Sequence, residues 1–212
     1  RRIVPGAGPG RHGPRPVTFP ASTFVALPEA SGRFRVNPRA NGYLSGTNMS
    51  ERQPIRVWHF GPGGVRGRGG MGRFLAYLIP ALNRENSGVV CRVIDTYGPG
   101  AFWQMPFWFA GAVWSLFWGA LRRRVDAVHV HMAAYGSIPR KMLLAMLGGA
   151  FRLPTVVHMH GADLVEFVDR LPRFMRNFFI SRLKKVTLIV VIGEYWRYYM
   201  TRDLGIHADR VA

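Results

Sequence analysis

Cysteine and acidic residues are both scarce in this chain of 212 residues. Cys91 is the only cysteine, so no disulfide can form within the chain, and a reducing compartment is the expected location. Aspartate and glutamate number 11 against 29 lysines and arginines, which gives a formal net charge of +18. Such an excess favours phosphate-rich partners, namely nucleic acid, anionic lipid or phosphorylated substrates, and the charge alone does not choose among them.

The start of the chain also lacks the continuous apolar segment that a cleavable export signal needs. Residues 1–53 are instead rich in Pro, Gly and Arg, and Glu29 and Glu51 are their only acids. We therefore predict a disordered basic tail over this segment. Because Met49 opens a short polar lead into the first predicted strand, residues 1–48 are expected to be either sequence upstream of the natural start or a basic tail that touches membrane or nucleic acid.

From Pro54 onward, short β-rich runs alternate with longer helical patterns. The predicted strands are IRVWHF (55–60), VVCRVID (89–95), DAVHVHM (126–132), PTVVHMH (154–160) and TLIVVI (187–192). Helices are predicted near 71–86, 103–122, 138–150, 166–185 and 194–203. Continuous valine and isoleucine runs separated by helices indicate parallel strands buried on both faces. The predicted fold class over 54–212 is α/β, a doubly wound Rossmann-like parallel sheet, and such sheets bind ligands beyond the carboxyl ends of their strands.

One helical segment, AFWQMPFWFAGAVWSLFWGAL (101–121), carries no charge and is followed by Arg122, Arg123 and Arg124. Its length would suffice to cross a bilayer, which takes about 20 apolar residues. The segment nevertheless lies between two strands of one sheet, and a spanning helix would put those strands on opposite sides of the membrane. A core helix is one alternative; the tryptophans and the basic flank favour partial contact with an anionic membrane surface.

The stretch GPGGVRGRGGMGR (61–73) holds seven glycines and three arginines between the first strand and the first helix. Glycines there let backbone N–H groups at a helix N-terminus approach a phosphate, through Gly69 and Gly70, and Arg68 would add charge. The stretch also satisfies G-x-G-x-x-G, and Asp95 ends the next strand where dinucleotide-binding folds keep a ribose-binding acid. A nucleotide-dependent oxidoreductase is thus one alternative, although the fingerprint starts late after the strand, and a solvated basic loop is another.

Two strands each carry a pair of histidines, His129 with His131 and His158 with His160. A spacing of two projects both members of a pair from one face of the strand. No Asp, Glu or Cys is placed to complete a metal site with them, so no metal is expected. His131 and His160 lie at carboxyl ends of strands, where the cleft should be, while His129 and His158 are expected in the core. His160 is the strongest single candidate for a functional residue.

The loops that follow these two strands supply further candidates. Asp163, in HGADLVEF, either caps the next helix or faces the cleft. Tyr135 lies in the loop after the third strand and borders the same cleft, and Ser137 in that loop is most simply a helix N-cap. Tyr135 and Asp163 are therefore candidates for the acceptor side of the cleft, as is His131.

Four stretches in this order resemble the amino-terminal domain of a family 4 glycosyltransferase of the GT-B fold. They are FGPGGVRGRGGMGRFLAYLIPAL, DAVHVHMAAYGSIPRKMLLAMLGG, PTVVHMHGADLVEF and TLIVVIGEYWRYYMTRDLGIHADRV. The resemblance covers about residues 54–212 and makes the chain one half of a GT-B architecture. It implies that Gly69 and Gly70 approach the phosphate and sugar of the donor, and that His160 contacts the donor sugar as a catalytic residue.

The resemblance also implies a function. The expected activity is that of the acceptor-side half of a retaining glycosyltransferase, which moves a sugar from a nucleotide donor to a glycan or lipid-linked acceptor. The expected partners are the nucleotide sugar, as a substrate and with no separate cofactor, the acceptor, and an anionic membrane surface, but not nucleic acid. The protein would then be cytoplasmic and peripheral to the inner face of the cell membrane.

Such enzymes bind most of the sugar nucleotide in a second, carboxy-terminal domain with an E-x7-E motif. No such domain precedes Ala212, so the chain is expected to be a fragment that transfers no sugar by itself. Two alternatives stay open at this point. One is the oxidoreductase with its glycine fingerprint, and the other is a non-catalytic basic module that binds a membrane.

Overall fold

The computed structural model describes residues 53–67, 69–84, 88–133, 136–161 and 164–212. The strands are β1 (Ile55–Gly61), β2 (Val89–Asp95), β3 (Ala127–Met132), β4 (Thr155–Met159) and β5 (Leu188–Val190). The helices are α1 (Gly70–Leu82), α2 (Met105–Leu121), α3 (Ser137–Ala150), α4 (Leu164–Arg170), α5 (Arg173–Leu183) and α6 (Glu194–Tyr198). The predicted tail, apart from Gln53, lies outside the described residues.

All five strands are parallel and form one sheet in the order β2-β1-β3-β4-β5. The chain runs from β1 outward to β2 and then returns across β1 to β3, so the direction of winding reverses between β1 and β3. Ligands of open α/β sheets bind in the crevice that this reversal opens at the carboxyl ends of the strands. The structure therefore confirms the predicted α/β class and directs attention to the ends of β1, β3 and β4.

The two faces of the sheet differ in what they bury. On one face, apolar side chains of the central strands, among them Phe60 and Val130, pack with Leu116 of α2 and Leu144 of α3 in the main hydrophobic core. Each large side chain that is fully buried in this way contributes roughly 1.5 to 3 kcal/mol to folding. On the other face, α1 covers β1 and β2 through a smaller cluster of Leu75, Ile79 and Cys91, and the central strands carry histidines instead of apolar side chains.

Two predicted helices differ from the observed ones. The segment predicted as one helix over 166–185 is two helices, because Pro172 has no N–H to continue α4 and instead takes the N-cap position of α5. The segment predicted over 194–203 is the short helix α6, which continues as a π-helical turn over Tyr199–Asp203.

Helix α2 packs on the sheet along a narrow stripe and leaves most of its bulky aromatic residues exposed. Its buried positions are Ala112, Leu116 and Gly119, and Gly119 lies so close to the Trp58 ring that a Cβ at this position would overlap the ring. Among the described residues, no helix combines the length and the apolar character that crossing a bilayer requires.

Candidate functional site

The glycine-rich loop leaves the N-terminus of α1 open. The chain first makes a short 3₁₀ turn after β1, and Gly69 then takes φ +100°, a conformation that side-chain-bearing residues rarely adopt, directly before α1 begins at Gly70. A Cβ at Gly69 or Gly70 would meet no atom within 4 Å. Gly72 is different, because a Cβ there would overlap the backbone of Gly67. Arg68, the predicted basic residue of this loop, lies outside the described residues.

Asp95 anchors the glycine-rich loop through one of its two carboxylate oxygens. Its Oδ1 accepts hydrogen bonds from the backbone N–H groups of Gly63 at 2.8 Å, Tyr97 at 2.8 Å and Gly98 at 3.0 Å. The oxidoreductase alternative requires this carboxylate to bind a ribose hydroxyl. Three backbone N–H groups already occupy Oδ1, so a ribose hydroxyl could reach only Oδ2 of this carboxylate.

Lys141 of α3 lies buried beneath the same loops, and sequence reasoning did not single it out. Its Nζ donates hydrogen bonds to the carbonyl oxygen of Phe60, at the end of β1, and to Oγ1 of Thr96, just beyond β2. Burial lowers the pKa of the ammonium group well below its ordinary value, and the neighbouring Arg140 lowers it further. Lys141 thus joins the carboxyl ends of β1 and β2 from below.

Five histidines occupy the face of the sheet beside α1. His59, which sequence reasoning also missed, lies opposite His129 in the register of β1 and β3, and His131 lies opposite His158 in the register of β3 and β4. We call this set the histidine cluster: His59, His129, His131, His158 and His160. Phe74 of α1 covers the cluster, with its ring centroid 5.1 Å from that of His158 and 5.3 Å from that of His160.

Two hydrogen bonds connect three members of the cluster in series. Nδ1 of His59 lies 3.1 Å from Nε2 of His131, and Nδ1 of His131 lies 3.0 Å from Nε2 of His160. His131 has no exposed surface, so it lies one layer below the cleft in which the sequence placed it. His160 is only partly buried, and its backbone N–H bonds to the carbonyl oxygen of Met132, which fixes it at the carboxyl end of β4.

Burial keeps the cluster neutral. It lowers the pKa of His59 and of His160 to about 4, and it lowers that of His158 to about 3, with a further contribution from His160. The pKa values of His129 and His131 also fall well below the ordinary value, again chiefly through burial. At neutral pH these rings are therefore hydrogen-bonding groups that carry no charge.

Two groups of three histidines bring their ring nitrogens close enough to consider a metal ion. One group is His59, His129 and His131, the other is His131, His158 and His160, and within each group one nitrogen per residue lies within 4.8 Å of the others. In each group, however, two rings lie face to face, His129 on His131 at 18° and His158 on His160 at 27°. Imidazole lone pairs lie in the ring plane, so nearly parallel rings do not converge on one ion unless they rotate. The expectation that no metal binds stays a prediction.

Phe74 connects His160 with the first part of α1. Phe74, which touches His160, follows Gly70 by four residues, or about one helical turn. Two of the predicted acceptor-side residues, Tyr135 and Asp163, lie outside the described residues, whereas Ser137 begins α3 and its Oγ accepts a hydrogen bond from the N–H of Ala133. The described part of the cleft thus offers free helix N–H groups and a neutral imidazole, which suit a polar or anionic ligand.

A comparison of sequences agrees with this geometry. No curated protein matches the chain significantly. A family model described as a glycosyl transferase 4-like domain matches residues 21–212, so the match begins inside the segment predicted as a tail. It covers most of the chain, and it includes the parallel sheet, the glycine-rich loop and the histidine-bearing strands. The chain therefore belongs to the glycosyl transferase 4-like domain family.

Proposed function

We propose that this chain forms the acceptor-side domain of a retaining glycosyltransferase, which moves a sugar from a nucleotide sugar to a glycan or lipid-linked acceptor. The observation that carries the proposal is the contact between His160, at the carboxyl end of β4, and Phe74, which lies about one turn into α1. Family membership supports the reaction class. Retention and the type of donor are inferred from the resemblance of the loops.

The N-terminus of α1 is assigned to the diphosphate of the donor. The first N–H groups of a helix have no intrahelical acceptor and lie at the positive end of the helix dipole. The first turn of α1 contains no acidic residue that would repel a phosphate, and the space around Gly69 and Gly70 is open. Negative charge builds up on the diphosphate as it leaves. N–H groups that are held in place at this helix end can donate hydrogen bonds to it and so stabilise the transition state.

His160 is assigned to holding the donor. Its neutral ring can form a hydrogen bond with a sugar hydroxyl or a phosphate oxygen without any change of protonation. In the reaction, the bond between the anomeric carbon and the phosphate oxygen breaks, and the acceptor oxygen bonds to that carbon on the same face. The acceptor proton leaves with the nucleoside diphosphate, so His160 has only to orient the donor.

Ligand binding by the full-length protein separates this function from the oxidoreductase alternative. Calorimetric titration with a panel of nucleotide sugars and, separately, with NADH should give binding for at least one nucleotide sugar and none for NADH. Gly70→Val, which fills the open space at the start of α1, should weaken the nucleotide-sugar binding. NADH binding in the absence of any nucleotide-sugar binding would support the oxidoreductase instead.

An anionic membrane surface is the proposed docking partner, with the protein peripheral to the cytoplasmic face. The supporting observation is an uncharged aromatic face on α2, which consists of Phe107, Trp114, Phe117, Trp118 and Leu121. These side chains recur at helical spacing, and Phe107 and Trp114 are 73% and 62% exposed. Arg122, Arg123 and Arg124 follow the face directly and are exposed. Aromatic side chains beside arginines are typical of helices that lie in a membrane interface.

A further inference from the structure

The series of hydrogen bonds through His59, His131 and His160 has one buried end and one end at the cleft. His131 uses both of its ring nitrogens, one toward each neighbour. At the inner end, Nε2 of His59 is buried and has no hydrogen-bond partner among the described residues. At the outer end, His160 is the only partly exposed member of the histidine cluster.

Hydrogen bonding in this series couples the three protonation patterns. A neutral imidazole has one N–H donor and one bare nitrogen that accepts. His131 must therefore donate one of its two bonds and accept the other. If His59 donates from Nδ1, His131 must donate from Nδ1 to His160, whose own proton is then also on Nδ1. If the direction is reversed, all three protons lie on Nε2.

We propose that the three rings share one tautomer with the proton on Nδ1, so that His59, deep in the sheet, makes His160 present an N–H donor to the cleft. His131 and His59 are positioning residues in this arrangement. The inner end supports protonation on Nδ1, because Nε2 of His59 is then a bare acceptor nitrogen. The reverse arrangement would bury an N–H without an acceptor, which is rarer in proteins than a buried acceptor without a donor. The outer end supports it too, in so far as the proposed function is right, since a donor N–H suits phosphate and hydroxyl oxygens.

Three described aromatic or imidazole side chains contact the ring of His160. His131 and His158 contact it from the sheet, at ring-centroid distances of 5.3 Å and 4.0 Å, and Phe74 covers it from α1. None of these three carries a negative charge. Neither Phe74 nor the stacked His158 ring therefore competes with His131 for control of the His160 tautomer.

The tautomers can be read directly in the wild-type chain. Long-range ¹H–¹⁵N correlation spectra of ¹⁵N-labelled protein at neutral pH distinguish a protonated ring nitrogen from a bare one. We expect Nδ1 to be protonated and Nε2 bare in His59, His131 and His160 alike. Protonation of all three on Nε2 would overturn the donor assignment, and unlike tautomers within the series would overturn the coupling itself. No substrate is involved, so either result leaves the proposed transferase reaction standing.

Two variants then test whether His131 controls His160. His131→Phe removes both hydrogen bonds, and the fixed tautomer of His160 should give way to a mixture. His129→Phe is the matched control, since His129 lies two residues away on the same face of β3, is also buried and takes no part in the series. It should leave the His160 signals unchanged. Equal effects of the two variants would contradict the proposal, and His59→Phe, which cuts only the inner bond, replaces His131→Phe if the latter does not fold.

A kinetic measurement on the full-length protein completes the test. A role in orienting His160 predicts that His131→Phe lowers kcat for sugar transfer by about 10- to 100-fold while KM changes little. His129→Phe should leave both constants near those of wild type. If the wild-type protein shows the shared Nδ1 tautomer but transfers no sugar, the proposed function fails and the histidine series stands. If His131→Phe lowers kcat no more than His129→Phe does, the positioning role of His131 fails.

Discussion

Oδ1 of Asp95 lies 2.8 Å from the backbone nitrogen of Gly63, so the end of β2 holds the first turn of the glycine-rich loop. The same oxygen accepts the N–H groups of Tyr97 and Gly98. A carboxylate that a dinucleotide fingerprint would assign to a ribose is thus a structural link between two loops at the cleft. The position of the loop relative to α1 depends on it.

Replacement of Asp95 should therefore destabilise the loop. We expect Asp95→Ala to lower the free energy of unfolding by about 1 to 3 kcal/mol, because three partly buried N–H groups lose their acceptor. Asp95→Asn keeps an oxygen in place and should cost less. Asp169→Ala, which removes an exposed carboxylate 3.7 Å from Arg176, is the control and should cost less than about 1 kcal/mol. Urea denaturation measures all three, and an Asp95→Ala loss no larger than that of the control would contradict the anchor.

The two nitrogens of His160 can be tested separately. A glutamine amide ends near the position of Nε2, which bonds to His131, and an asparagine amide ends near the position of Nδ1. In the full-length protein, His160→Gln should therefore keep most of the stability and lower transfer by about 100-fold, as expected for the loss of one preorganised contact. His160→Asn should show the reverse, with a lower melting temperature and a smaller loss of transfer. Normal transfer by His160→Gln would show that Nδ1 of His160 does not contact the donor.

His158→Ala tests a buried member of the histidine cluster, in contrast to the partly exposed His160. His158 is 5% exposed, and Phe74 packs edge-on against its ring. Truncation would leave a cavity beneath α1, so the melting temperature should fall while the specific activity of the folded protein changes little. A variant that is as stable as wild type but inactive would show that His158 takes part in the reaction.

The histidine cluster should make the protein sensitive to acid. Burial puts the folded-state pKa values of His59 and His160 at about 4, below the value of about 6.5 expected for an unfolded chain. The unfolded chain then binds more protons between these limits, so the free energy of unfolding is highest above pH 6.5 and falls as the pH drops toward 4. Each such histidine contributes a slope of about 1.4 kcal/mol per pH unit.

Urea denaturation at several pH values between 7 and 4.5 checks this dependence. His59→Phe removes one titrating group and should make the pH dependence shallower by about one proton. A free energy of unfolding that stays constant over this range would show that the histidines are not buried as described.

Sequence reasoning recovered the strands because each is a compact apolar run. All five predicted strands agree with the structure to within two residues at either end, and their separation by helices sufficed to predict a parallel sheet. The break at Pro172 was missed because the helical pattern on its two sides joins smoothly, although a proline there was a usable signal.

The site was less predictable because it depends on register. His59 lies in an alternating strand beside Trp58 and Phe60, and only the alignment of β1 with β3 places it opposite His129. Sequence gives strands but not their registers. Lys141 was missed for another reason: a lysine on a helix is usually solvated, and this one is buried only because Phe60 and Thr96 offer it acceptors.

The aromatic face of α2 should bind anionic vesicles. We expect sedimentation with vesicles that contain phosphatidylserine, and the electrostatic part of the binding should weaken with salt, since exposed charges are screened within about 10 Å at 0.1 M. Changing Arg122, Arg123 and Arg124 to glutamate should reduce binding. A matched control changes the same number of exposed arginines near the other edge of the sheet: Arg173, Arg197 and Arg202.

The control distinguishes docking through α2 from general attraction of a basic protein. If both sets of changes reduce vesicle binding equally, net charge alone accounts for it. Trp114→Ala adds an uncharged test, because Trp114 is exposed and its removal should weaken binding even at high salt.

Gly70 and Gly72 lie two residues apart in the first turn of α1 and should respond in opposite ways to alanine. A Cβ at Gly72 would overlap the backbone of Gly67, so Gly72→Ala has to displace the loop and should lower the melting temperature. A Cβ at Gly70 meets nothing within 4 Å, and alanine is the better helix former by up to about 1 kcal/mol. Gly70→Ala should therefore fold as well as wild type.

Gly70→Ala should nevertheless affect ligand binding, because the added methyl group enters the open space at the start of α1. If the donor diphosphate approaches the N-terminus of α1, the added methyl group occupies part of its site, and nucleotide-sugar binding should weaken by about tenfold or more, which corresponds to about 1.4 kcal/mol. Calorimetry and thermal melting on the same preparations separate this effect from unfolding. A stable Gly70→Ala variant that binds nucleotide sugars with wild-type affinity would place the diphosphate elsewhere, since only a ligand that avoids the helix N-terminus would not sense the methyl group.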